Sequence, residues 1–286
     1  MHSRSWNSLR RQLVGHLASW LMGFATLAVL APLLAILIYL LYQGASSINW
    51  SFLMHLPKPV GESGGGMANA IAGSALILTE ASLMGIPVGV AAGVYLSEFA
   101  HNKFGTLIRF SADVLNGVPS IVIGLTAYAI VVLPARHFSA LAGGVALAIM
   151  MVPTISRTTE EALRMVPGSV REAAFGLGIL ERKTVLSIVL PAARSGIITG
   201  AMLAFARVAG ETAPLLFTAL GNQFWNLNPS QPTAALPLQI FAYAISPYDD
   251  WHKQAWAGAL VLIVLIMGVV TVVRIAASRS TLRGTS

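Results

Sequence analysis

Apolar residues gather into long stretches along this chain, with the polar residues confined to short clusters between them. Six stretches approach or exceed the roughly 20 apolar residues that carry a helix across a bilayer. They run over about 20–42, 70–97, 114–134, 139–157, 196–220 and 255–276. A very short link around Arg136 and His137 joins the third and fourth, which predicts a tight helical hairpin. Arg4, Arg10 and Arg11 precede the first stretch as they would a signal peptide. That stretch is too long for a signal h-region and lacks a small-residue cleavage site, so it is expected to stay as a span. The pattern predicts an all-α membrane protein with six transmembrane helices.

Composition agrees. Of 286 residues, 56% are hydrophobic and 10% charged, whereas soluble domains carry about 25% charged residues. The net charge of +7 would suit nucleic acid if it were clustered on one face, but the basic residues lie between apolar spans. There they read as orientation signals, and no nucleic-acid partner is expected. Fourteen Lys and Arg fall on one side of the six-span arrangement and three (Lys58, Arg136, Lys253) on the other. The bias places both termini and the 158–195 loop in the cytoplasm. With no cysteine, disulfides, thiolate metal sites and Cys nucleophiles are excluded. The six histidines have no metal-binding spacing.

The spans carry features that lipid anchors do not need. Gly85, Gly89 and Gly93 recur every four residues, a small-residue face that lets another helix approach closely, and Pro87 among them should kink or loosen that helix. The third span opens with Gly117, Pro119, Ser120 and Gly124. Broken backbone at such points is tolerated where it lines a cavity or packs on protein. Arg207 and Glu211 stand four residues apart within the predicted fifth span and so should share a helical face. Intramembrane charges cost at least about 2.5–3.5 kcal/mol and face the bundle interior or a water-filled path. Two readings stay open: a pair holding helices in register, or an arginine that meets a translocating anion and is gated by Glu211 with its neighbour Thr212. Glu98 and Arg109 read as surface charges, and Glu80 as a pore-facing, paired or shallow carboxylate.

The segment 168–191, GSVREAAFGLGILERKTVLSIVLP, is the most specific. Ser169 and Glu172 have capping-box spacing, Pro167 and Gly168 end the preceding helix, and Gly178 can supply a left-handed terminator. A helix over about 170–177 is predicted. Its Ala173, Ala174 and Phe175 form a low apolar surface that suits either a partner protein or the membrane surface.

Glu172-Ala173-Ala174, Gly178, and Ile188 with Leu190 and Pro191 match EAA-x3-G-x9-I-x-L-P at each fixed position. This resembles the signature of ABC importer permeases, over about residues 69–277. The resemblance implies a type I ABC importer permease fold in which 169–178, including Ser169, is a cytoplasmic coupling helix seated on an ATP-binding subunit. Three regions follow: 1–68 with the first span and an external loop, the permease domain 69–277, and a cytoplasmic tail 278–286. ATP and Mg are expected on partner subunits and no cofactor on this chain. None of its four lysines follows a glycine, as a P-loop requires.

ARVAGETAPLLFTA (206–219), GVPSIVIGL (117–125) and RTTEEALRMVP (157–167) resemble phosphate-importer permeases of the PstA family. The companion PstC family shares the GVPS and GET segments but usually continues GET with Met-Ala, where this chain has Ala213-Pro214. The resemblance implies phosphate as substrate and a PstC-like permease partner. It also implies two PstB-like ATPase subunits and a periplasmic PstS-like binding protein, with 222–252 (Trp225, Asp249 and Asp250) as part of that protein's contact. The location implied is the bacterial inner membrane. Other readings are an ABC permease for molybdate, tungstate or sulfate, and a stand-alone transporter or membrane-embedded enzyme. The coupling signature opposes a stand-alone transporter, and no convergent nucleophile, base or metal set supports an enzyme.

Overall fold

The computed structural model describes residues 3–282 except positions 61, 63 and 101. The helices run α1 Ser3–Ala45, α2 Trp50–Met54, α3 Ala68–Phe99, α4 Lys103–Gly117, α5 Ser120–Ala135, α6 Ala140–Arg164, α7 Gly168–Gly176, α8 Glu181–Ala209, α9 Ala213–Leu216, α10 Leu236–Ala244 and α11 Asp249–Leu282. Five of them (α1, α3, α6, α8 and α11) are long and apolar enough to cross a membrane, and the bent pair α4–α5 brings the number to six if it is counted as one broken span. With five to six such helices, the chain is a multi-pass membrane protein.

Helix ends differ from the hydropathy reading for a physical reason. Hydropathy marks the length immersed in lipid, whereas helices continue into water while backbone bonding and side-chain pairs sustain them. Thus α6 runs on to Arg164 and α8 starts at Glu181. The predicted 158–195 loop shrinks to the stretch around α7. The predicted third span is not straight: α4 and α5 meet at 108°. The bend falls at Val118 and Pro119, both extended at ψ 132° and 136°. Pro119 disfavours helical backbone in the residue before it.

The core lies between α3 and α6, where Ile77, Ala81, Leu147, Met151 and Ile155 are buried together with Ala204 and Val208 of α8 and Leu215 of α9. Gly85, Gly89 and Gly93 line this contact. Second and third clusters close the two ends, one around Phe52, Met67, Leu236 and Tyr243, the other around Leu163, Val166, Val189 and Ala193. α1 docks near its end on α11, where Gly44 faces the Trp256 carbonyl and Tyr39 meets the Trp256 ring edge-on at 5.1 Å. From position 10 to that contact α1 is exposed, as a helix bathed by lipid or by another subunit would be.

Candidate functional site

Two interrupted stretches meet inside the bundle. α8 ends at Ala209, with Gly210 as its C-cap, and the chain restarts as α9 only at Ala213. Pro214 is the cause: it has no N–H to give the Gly210 carbonyl, and its ring would strike that carbonyl in a continuous helix. The predicted 196–220 span is therefore broken at 210–212, and Arg207 and Glu211 do not share one helical face. Arg207 lies in the last turn of α8 on its exposed side, while Glu211 and Thr212 form the half-buried break. Among the described residues no ion pair joins Arg207 to Glu211. Ser195, Thr199 and Leu203 precede Arg207 at four-residue steps, all exposed, so a partly hydroxylated stripe leads along α8 to the guanidinium.

The break packs against the other interrupted stretch. A Cβ at Gly124 of α5 would come within 2.7 Å of the Pro214 Cα. The 117–125 and 206–219 segments, far apart in sequence, thus lie against one another. Gly117 and Pro119 stand at the bend leading into α5, and Gly117 is open on its Cβ side.

At the other end of α8 lies the compact α7 unit. Gly178 adopts φ +75°, and the turn closes with Gly178 N–H donating to Phe175 O at 2.9 Å and Ile179 N–H to Ala174 O at 3.1 Å. These are the paired bonds of a Schellman terminus, which favours glycine there. The capping box does not form. Pro167 takes the N-cap position and α7 begins at Gly168, so Ser169 falls inside the first turn and not at the N-cap from which a capping box with Glu172 would form. Ala174 is buried, while Glu172, Ala173, Phe175 and Leu177 are exposed.

Glu98 and Arg109 are not surface charges. Arg171 of α7 forks onto Glu98, Nη2 to Oε1 at 2.7 Å and Nε to Oε2 at 3.1 Å, and also donates to Val166 O and Leu163 O at 2.8 and 3.0 Å. Hydrogen bonding to Glu98 raises the pKa of the Arg171 guanidinium further, against the opposing effect of burial. Arg109 of α4 donates to Glu160 at 2.7 Å and to Leu96 O at 2.6 Å. Glu160, 1% exposed, also meets Arg164 at 2.6 Å and Arg157 at 3.6 Å. Sequence reading missed this hub. A usable signal was present in the run of Arg157, Glu160, Glu161 and Arg164 at three- and four-residue steps. Glu80 has both carboxylate oxygens buried without a hydrogen-bond partner, over Gly144 of α6. Asp250 accepts from Gly64 N–H and Gln254, which ties it into the fold, whereas Trp225 is exposed.

Comparison with known proteins places this geometry. Residues 85–281 match the family of binding-protein-dependent transport system inner membrane components. The phosphate transport system permease protein PstA of Yersinia pestis is 42% identical over 268 residues, covering 93% of this chain and 91% of its own. Among solved structures, a bacterial alginate ABC transporter crystallised with an alginate pentasaccharide-bound periplasmic protein superposes with a TM-score of 0.67 at 11% identity, covering 98% of this chain and 99% of that one. An inward-facing MetNI methionine ABC transporter superposes with a TM-score of 0.60 at 19% identity, covering 77% and 98%. These similarities show the ABC importer permease fold, in which such subunits work within a larger complex and carry no ATPase site of their own. With 42% identity along nearly its whole length, this chain belongs to the PstA family of phosphate transport system permeases.

Proposed function

We propose that this chain forms one half of a phosphate-conducting pathway in the bacterial inner membrane, with Arg207 as the residue that meets the anion. The supporting observation is the placement of Arg207 at the end of the exposed Ser195–Thr199 stripe, immediately before a backbone break packed on α5. A planar guanidinium suits a phosphate oxyanion by offering two parallel donors. Glu211 and Thr212, in the break itself, fit a gate that competes for or releases Arg207. The other half of the pathway would come from a PstC-like subunit. Two PstB-like subunits would hold ATP and Mg and drive alternating access through α7, and a PstS-like protein would deliver phosphate. The exposed Phe224, Trp225 and Leu227 offer that protein an apolar contact.

The test is ATP-dependent phosphate uptake by vesicles carrying the whole complex. One hydrogen bond to a charged group is worth about 1.5–3 kcal/mol, so Arg207→Gln should lower uptake roughly ten- to a hundredfold, at matched amounts of inserted protein. Uptake by the wild type should be inhibited by arsenate and not by molybdate or sulfate. Normal flux in Arg207→Gln would return the arginine to a structural role. Competition by molybdate or sulfate would replace phosphate with another oxyanion.

A further inference from the structure

The cytoplasmic end of the second span is gripped from two directions. Over Tyr95–Phe99 the end of α3 relaxes into a π turn, and two arginines from other helices converge there. Arg171 reaches it from α7 through the forked pair with Glu98. Arg109 reaches it from α4 through the Leu96 and Ala100 carbonyls, while its Nε holds Glu160 of α6. The Glu98 side chain is 7% exposed, so this pair lacks the solvent screening that makes surface ion pairs weak. Its two-bond geometry also fixes direction as well as distance. The other ties of α7 run to the end of α6: Arg171 also donates to the Leu163 and Val166 carbonyls, and Val170 leans on the Leu163–Val166 cluster, while Ala174 is the one buried residue of α7.

We propose that Glu98 and Arg171 form a strut that delivers displacement of α7 to the second span. Arg109 and Glu160 pass that displacement on to α4. α4 ends at Gly117, at the 108° bend into α5, and α5 is the helix packed on the broken stretch beside Arg207. The route from α7 to the anion path thus runs through the ends of α3 and α4 as well as along α8. Glu98 and Arg171 are positioning residues in this scheme, and neither touches phosphate. The proposal rests on the reading of α7 as the ATPase contact.

The experiment uses the complete transporter in proteoliposomes and records three quantities: ATPase subunits retained, ATP hydrolysed and phosphate taken up. Couplings between distant sites span about 5–150-fold, so Glu98→Gln and Arg171→Gln should each lower uptake per ATP about tenfold while hydrolysis stays within about twofold. This chain has no native cysteine, so with accessible partner-subunit cysteines replaced by serine, Glu98→Cys with Arg171→Cys can be bridged selectively by a short bis-thiosulfonate linker. Bridging should restore uptake and a reductant should abolish it again. Uptake and hydrolysis falling in the same proportion, unchanged uptake, or a bridged protein as uncoupled as the unbridged one would each overturn the strut. So would failure of both single variants to assemble, which would assign the pair to folding. Phe175→Asp tests the underlying docking reading separately. It should release the ATPase subunits, and their retention with normal uptake would remove that reading, whatever the strut variants do.

Discussion

The three glycines of α3 do not have equal room, and the differences forecast a graded response to alanine. An added Cβ would sit 3.1 Å from the Met151 Cβ at Gly85 and 2.7 Å from the Ile155 Cβ at Gly89. At Gly93 it would sit 2.5 Å from the Thr159 Cβ and 2.6 Å from the Ser156 carbonyl oxygen. Carbon atoms pack comfortably at about 3.5 Å or more, so the helices must separate by roughly 0.4, 0.8 and 1.0 Å respectively. None of these blocking atoms is the tip of a flexible side chain, and at Gly93 one is backbone. Overpacking of this kind costs about 1–3 kcal/mol. Against it stands the gain from replacing glycine inside a helix, up to about 1 kcal/mol. Gly85→Ala should come out near neutral, Gly89→Ala at a loss of about 1 kcal/mol, and Gly93→Ala at about 2 kcal/mol.

The assay is the thermal midpoint of the purified complex in detergent, read by loss of the monodisperse species. For a chain of this size 1 kcal/mol moves a midpoint by about 2–4 °C, so Gly93→Ala should fall by roughly 4–8 °C and Gly85→Ala should scarcely move. Subunit dissociation can accompany unfolding in a complex, so the rank order is the firm quantity. Equal midpoints for all three variants, or Gly85→Ala as the least stable, would refute the argument that the α3–α6 approach sets the need for glycine.

Three further outcomes follow from single groups. A β-branched residue at Gly178 must hold φ +75°, which costs an L-residue about 1–2 kcal/mol. Gly178→Val should reduce phosphate uptake at matched membrane levels, and Gly178→Asn, which tolerates that conformation, should retain more of it. Glu160→Gln leaves Arg109 without its buried carboxylate. Removing one partner of a buried pair costs about 3–5 kcal/mol, and the lower end applies because Arg157 and Arg164 are half in water. Its thermal midpoint should drop and Glu160→Asp should recover part of the loss; a Glu160→Gln protein as stable as wild type would contradict the hub. Pro214→Ala returns an N–H able to bond the Gly210 carbonyl. Helical backbone should then extend through the break, and uptake should fall although Arg207 is intact. Unchanged uptake would show that the break is not needed for transport.

The two kinds of feature in this chain differ in how far apart their causes lie in sequence. The spans, the α7 unit and the Gly178 terminus were legible because each has a local cause: an apolar run of bilayer length, a Pro-Gly stop, a residue free to turn left-handed. The break after Ala209 also has a local cause, Pro214 opposite the Gly210 carbonyl. Averaging hydropathy across both sides hides it, since the residues beyond are as apolar as those before. The capping box failed for a similarly local reason, because the helix already begins at Gly168, after Pro167, and Ser169 is left inside its first turn. Glu98 with Arg171 and Arg109 with Glu160 join residues 73 and 51 positions apart, and no periodicity within one helix announces such partners. Their basic members were read as signs of the cytoplasmic side, and that reading hid their second use. Orientation depends on where Lys and Arg are retained and little on Asp or Glu, so an arginine can fix topology during insertion and afterwards be consumed by a carboxylate. A strong charge bias therefore does not imply a solvated surface. In this chain Arg109 and Arg171 sit on the positive side and also hold the ends of three helices in register.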